Sequence, residues 1–234
     1  MKKKRDAINF TFLSVIGIIL ILVMAFVSPS NSSEIEFLDL FFVGGAFIII
    51  CSCGFILTLK PNLLRKFKWQ LRDEPISKKG RNEGINFSGH HPDCDSFELH
   101  TLRVRDGTYC AGCTGLAIGS VISIILMGLF LIFQISLPER SLQLFVTGGL
   151  VVIILNYIET IYKKRIALLH VISNIAFVSG IFAIVLGTFM LSGRVIYGFF
   201  AIVISTLFLF TRIRLSSWDH SKICDLCNRD CKAY

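Results

Sequence analysis

The chain has 234 residues with 24 basic and 16 acidic side chains, so its net charge is +8; apolar types make up 53% of it and charged residues only 17%. Soluble domains carry about a quarter charged residues, so this composition excludes a disordered chain and argues against an ordinary soluble enzyme. A membrane protein is left if the apolar residues gather into runs of about 20, the helical length that crosses about 30 Å of hydrocarbon.

They do so six times. In chain order the runs cover 9–28, 38–59, 114–135, 143–162, 166–191 and 195–211, each almost free of charge. Stretches such as Val121-Ile122-Ser123-Ile124-Ile125-Leu126 lack the alternation of a barrel strand. The expected fold is therefore all-α and membrane-embedded, with six transmembrane helices. Residues 1–59 hold the first two, 60–113 form a loop, 114–211 hold the other four, and 212–234 form a tail. The last two spans are joined only by Leu191-Ser192-Gly193-Arg194, a tight hairpin. Lys2 to Arg5 resemble the positive end of a signal peptide, but the apolar run behind them exceeds the usual 7–15 residues, which favours a retained first helix.

Basic residues near span ends are held in the cytosol. Four lie in the N-terminal tail, ten between Lys60 and Arg105, three at Lys163, Lys164 and Arg165, and five between Arg212 and Lys232; only Arg140 and Arg194 fall on the other side. This distribution predicts a multi-pass protein of the inner (cell) membrane with both termini and the 60–113 loop in the cytosol. It also accounts for the basic charge without nucleic acid as a partner; the partner it implies is the lipid bilayer.

After the second span, Leu63, Leu64, Phe67 and Leu71 form one stripe and Arg65, Lys66, Lys68 and Arg72 the other face, the pattern of an interfacial helix on anionic headgroups. Its alternative use is as a lipid-specific or partner-binding patch. Residues 73–89, with Gly80, Gly84 and Gly89, read as a linker. Asp106-Gly107 then reads as a two-residue hairpin turn, delivering Cys110-Ala111-Gly112-Cys113 to the start of the third span. In a C-x-x-C turn both thiolates reach one ion, and Gly112 lets the backbone fold beneath them.

The tail supplies a second set, His220, Cys224, Cys227 and Cys231. Their spacing places all four on one face of a helix, but spreads them over roughly 16 Å of its axis, too far for one tetrahedral site. They divide between sites, or the segment is a non-helical knuckle. Loop and tail together hold six of the eight cysteines. The cytosol is reducing, so closely spaced cysteines there bind metal or do redox chemistry rather than form structural disulfides. So small a module also cannot build a self-sufficient core, and a metal clip supplies folding energy. The expected metal ligands are Cys94, Cys110, Cys113, Cys224, Cys227, Cys231, His220 and His91, forming a zinc-ribbon-like module, with an iron–sulfur cluster or free thiols as alternatives. His90, His91 and His100 taken singly fit solvated or hydrogen-bonding residues better than ligands.

The box Cys110-Ala111-Gly112-Cys113-Thr114-Gly115, preceded by His91, Cys94, Ser96 and Phe97, resembles a prokaryotic multi-pass family known as domain of unknown function 2085 (DUF2085). That family has a Cys-His start, a Ser-Phe step and a Cys-Ala-Arg-Cys-Thr-Gly-Ile-Tyr box. Here Gly112 stands in place of Arg, Leu116-Ala117 in place of Ile-Tyr, and the Cys-His start reads His91-Pro92-Asp93-Cys94. The likeness covers about thirty residues and implies a membrane protein with a cysteine site, without an activity.

Polar groups inside spans are costly and so mark candidate sites. Asn156 and Glu159 end the fourth span and His170 and Asn174 begin the fifth, all in the cytosolic leaflet. One reading is a polar cavity facing the cysteine module, for a lipid headgroup, a metal ion or a quinone ring. The plainer reading has Asn and His hydrogen-bonding between helices and Glu159 reaching Lys163. Cys51 and Cys53 lie on opposite helix faces and read as small buried thiols. Gly44-Gly45, Gly148-Gly149, Gly180 and Gly187 suit close helix packing. The expected function is a membrane protein whose zinc-binding cytosolic module is structural, regulatory or a docking point for a protein partner. Rival readings are a thiol or electron-transfer oxidoreductase using both C-x-x-C pairs, and a metal or small-solute transporter using the polar residues of spans four and five.

Overall fold

The computed structural model describes residues 2–27, 37–59, 86–88, 100–104, 107–162 and 166–225. Six helices dominate: α1 (Lys2–Phe26), α2 (Phe37–Leu59), α3 (Ala111–Phe133), α4 (Glu139–Ile161), α5 (Ala167–Ser192) and α6 (Val195–Asp225). All six are long and apolar enough to cross a membrane. They are apolar around most of their circumference, the mark of helices buried in protein or lipid on every side. Large side chains such as Phe12, Ile49, Phe133, Leu155 and Val203 are exposed on the outside. In water such a surface would aggregate; against acyl chains it is the ordinary outer face.

The bundle is organised about α5. Two-thirds of its apolar window is buried, 67%, against 28% for α1 and α2, and Phe177, Ile184, Val185, Leu186 and Phe189 on it are almost fully enclosed. Lipid is as apolar as these side chains, so packing rather than water exclusion selects the neighbours. Small residues set the crossings. A Cβ on Gly149 of α4 would lie 2.6 Å from the Gly180 carbonyl of α5, and one on Gly187 would lie 2.7 Å from Val146. On the other side, Cβ atoms on Gly115 and Gly119 of α3 would meet the Val171 and Ile175 carbonyls at 2.6 and 3.1 Å. Gly45 and Gly148 face open space and Gly44 only the end of Leu131. The expected glycine packing thus holds at Gly149, Gly180 and Gly187 and fails at Gly45 and Gly148.

α1 packs along α6, where Gly17 admits Ile204 and Phe208 and Ser14 meets Thr211 at 2.6 Å. Tyr157 of α4 closes the same network by donating to the Phe208 carbonyl at 2.9 Å. α1 is therefore an integral part of the bundle. Between α5 and α6, Gly193 adopts φ 61° and its N–H bonds to the Phe189 carbonyl, a left-handed helix stop that costs glycine least. α6 then runs for 31 residues, about 46 Å at 1.5 Å per residue, well beyond the expected span 195–211. Its last turns carry Trp218, His220 and the backbone of Cys224 past the thickness of a bilayer core.

The start of α3 is preceded by a small sheet of β1 (Asn86–Ser88), β2 (Thr101–Val104) and β3 (Gly107–Cys110), in the order β1-β3-β2. β2 and β3 are antiparallel, so the expected hairpin is present, but its register differs. Val104 pairs with Gly107, which leaves residues 105–106, not Asp106-Gly107, between the paired strands. β1 runs parallel to β3 and takes up residues expected to be linker, because the β3 edge is otherwise an open row of backbone donors and acceptors. The expected interfacial helix at 61–72 lies outside the described residues.

Candidate functional site

At one end of the bundle, where α3 and α5 begin and α2 and α4 end, the hairpin and the extension of α6 come together. Cys110 ends β3 and also caps α3 in an extended conformation (φ −69°, ψ 119°), so the C-x-x-C box is not a free knuckle. It straddles a strand-to-helix junction, Cys110 on the strand and Cys113 in the first helical turn. Thr114 fastens that turn by donating to the Cys110 carbonyl at 2.9 Å. Cys110 is 1% exposed and Cys113 is half-buried.

Gly112 lies in the first turn of α3. A Cβ there would come within 3.2 Å of both His170 Nε2 and the Arg212 guanidinium, so glycine is what lets these two groups reach the α3 terminus. A guanidinium from α6 thus stands over the glycine of the box. Arg212 is 5% exposed. It reads in the sequence as a tail charge counted for topology; the continuity of the apolar pattern on either side, Phe208-Leu209-Phe210 and Ile213, was the signal that it belongs to a packed helix.

The rings of His100 and His220 pack edge to face with centroids 5.4 Å apart, and both are buried. His220 also lies within reach of Ser216 Oγ, 3.4 Å from its Nε2. His100, expected to be a solvated or hydrogen-bonding residue, is buried rather than solvated and ties the hairpin side to the extension of α6. Cys113, Arg212, Ser216 and His220 share the wall of one cavity.

The four intramembrane polar residues also come together, as hydrogen-bonded pairs rather than as an open site. His170 Nδ1 lies 2.8 Å from the Glu159 carboxylate, the partner the sequence reading gave to Lys163, which lies outside the described residues. Asn156 donates to Ser173 Oγ at 2.8 Å and to Asn174 Oδ1 at 3.4 Å, and Asn174 donates to the His170 carbonyl at 2.6 Å. With Nδ1 engaged by a carboxylate acceptor, the imidazole presents Nε2 to the Gly112 side. Cys51 is buried as expected and lines the cavity, whereas Cys53 is exposed on the outer face.

Of the eight expected metal ligands, Cys110, Cys113 and His220 are described with their side chains, Cys224 by its place in α6 alone, and Cys94, His91, Cys227 and Cys231 lie outside the described residues. Among the described residues no three His, Cys, Asp or Glu side chains form a metal-holding group. Comparison with protein-family models, curated proteins and solved structures finds no match to this chain.

Proposed function

We propose that this is a multi-pass protein of the cell membrane in which the hairpin and the C-terminal tail form one cytosolic, zinc-held module that serves as a structural and partner-docking element. The observation that carries this reading is the packing of His100 on His220, two residues 120 positions apart, at the end of the bundle that also holds the Cys110/Cys113 box. The orientation rests on the basic residues, 22 of 24 of which fall on the hairpin side of the six helices, as retention of positive charge in the cytosol requires.

Cys110 and Cys113 supply two thiolates at a fixed junction. Cys224 lies four residues past His220 on the same helix, about one turn or roughly 6 Å further along the same side. The remaining ligands come from Cys227, Cys231, Cys94 and His91. An all-thiolate or thiolate–imidazole site is closed and structural, with no open position for a substrate. Burial of Cys110 weighs against the oxidoreductase reading, since exchange needs an accessible thiolate. The uninterrupted course of α1 to α6 weighs against the transporter reading, whose usual pointer is a pair of broken helices. Kinship with the family that the Cys-Ala-x-Cys-Thr-Gly box resembles belongs to the same proposal.

Elemental analysis of the purified full-length chain, expressed with zinc and iron in supply, tests it. One or two zinc ions per chain are expected, reduced in Cys110→Ser and, separately, in Cys224→Ser. Iron in place of zinc would replace the metal but keep the site. Absence of both metals would overturn the reading.

A further inference from the structure

A partly open groove of about 460 Å³ lies between α2, α3, α5 and α6, and α3 and α6 stand on opposite sides of it, each packed against both α2 and α5. Phe47, Leu116, Val185, Ile202 and Leu209 make most of its wall apolar. Among its hydroxyls, Thr58 and Thr206 donate to carbonyls of their own helices. Ser205 does not: it is 3% exposed, and its hydroxyl has no partner among the described residues. Ser120 of α3, 6% exposed, lines the facing wall. We infer that this groove binds the head ring of a membrane quinone, an uncharged ring with carbonyl oxygens on opposite edges, one accepting from Ser120 and the other from Ser205.

Contacts between the helices place the two serines at one depth. The Phe47 and Phe182 rings of α2 and α5 lie 6.1 Å apart, and one turn further toward the hairpin end are Cys51 and Val178. A Cβ on Gly119 of α3 would stand 3.0 Å from the Val178 Cβ, so Ser120 is on that level too. Val43 of α2 fills the space beside Gly198 of α6. These two helices run the same way, and about 12 Å on from Val43 and about 10 Å on from Gly198 are Cys51 and Ser205. With Val195 at one boundary, that level falls about 15 Å in, at the middle of a hydrocarbon core about 30 Å thick. Water does not reach there, and a hydroxyl left unbonded is costly. The enclosed Ser205 hydroxyl reaches the ring by one change of χ1 well. Ester groups of a phospholipid stay at the boundary, so the acceptor belongs to an uncharged molecule that dissolves in the hydrocarbon. An apolar pocket with a few placed polar groups, within the roughly 300–1,000 Å³ of small-molecule sites, suits a quinone ring followed by its apolar tail. Arg212 takes no part: its guanidinium lies at Gly112, about 12 Å along α3 from Ser120. Such binding rests on the membrane-spanning reading and is independent of zinc.

The test uses the full-length chain in phosphatidylcholine nanodiscs holding equal decylubiquinone and decylbenzene, which shares the tail and lacks the carbonyl groups, followed by native mass spectrometry of what the chain retains. Recovery in the nanodisc itself reports membrane insertion and so separates failure of that reading from failure of this one. The native chain should retain the quinone about tenfold over decylbenzene, the size expected of two neutral hydrogen bonds. Ser205→Ala and Ser120→Ala should each lower that preference about threefold. The infrared carbonyl stretch of the bound quinone should fall below its value in lipid alone, and part of that shift should be lost in each serine variant. Ser52→Ala removes a hydroxyl that donates to the Ile48 carbonyl of its own helix, outside the groove, and should leave the preference intact. Gly54 lines the groove and a Cβ there meets nothing within 4 Å, so Gly54→Phe should fill the apolar part without a clash and abolish retention of both probes; this arm stands even if a serine variant does not fold. Equal retention of the two probes by the native chain, an unchanged preference in either serine variant, full retention in Gly54→Phe, or retention of phosphatidylcholine in place of the quinone would each overturn the inference.

Discussion

The Glu159 carboxylate and His170 Nδ1 meet at 2.8 Å across the short connection between α4 and α5, and the other ring nitrogen of His170 faces the first turn of α3 over Gly112. One carboxylate thus sets the orientation of an imidazole that three helices share. The pair is nearly enclosed, with side chains 13% and 5% exposed, so a partner left behind keeps its desolvation cost. Glu159→Gln and His170→Ala should each destabilise the bundle by about 1–3 kcal/mol in detergent unfolding. The double mutant should lose less than the sum of the two by at least about 0.5 kcal/mol. Additive losses would show that the contact is not energetically coupled.

Adjacent glycines on α4 should behave in opposite ways. Gly149→Ala pushes a methyl group into the Gly180 backbone and should cost about 1–3 kcal/mol as the helices separate. Gly148→Ala meets nothing within 4 Å and should be neutral or slightly stabilising, because alanine is the better helix former. Thermal unfolding of both variants side by side decides it, and equal effects would contradict the observed crossing.

How far these features were legible in the sequence depends on their physics. Long apolar runs are a one-dimensional signal, so the six helices appear close to where they are expected. The end of α6 does not, because hydropathy falls at Arg212 while helical geometry continues through Asp225; backbone hydrogen bonding does not stop where lipid does. The hairpin was visible in Asp106-Gly107, but its register is decided by which residues pair across the ladder, Val104 with Gly107, and turn chemistry alone does not set that. Gly115 and Gly119, four residues apart in an apolar run, carry the spacing of a close helix crossing. The pairing of His100 with His220 and the approach of Arg212 to Gly112 join residues more than 90 positions apart, and no local pattern encodes such distances.

If zinc fastens the tail to the hairpin, chelation should act on that module alone. Treatment with a strong chelator should speed proteolysis after α6 and around the hairpin, while the helical circular dichroism of the bundle changes little. Unchanged proteolysis after complete metal removal would count against a structural metal.

Orientation can be read from the two glycosylation sequons, Asn31-Ser32-Ser33 and Asn86-Phe87-Ser88. On insertion into microsomes, acceptors placed at the first site should be modified and those at the second should not. Modification at Asn86 would invert the topology and place the cysteine box outside the cytosol.

The meeting of hairpin and tail is tested most directly by cross-linking. A photoreactive benzoylphenylalanine in place of His100, in a chain that keeps all its cysteines, replaces one of two rings whose centroids are 5.4 Å apart. Irradiation of intact membranes should join it to the α6 segment around His220 within one chain, read by mass spectrometry of the cross-linked peptides. Capture of other segments only, with none of α6 near His220, would contradict it.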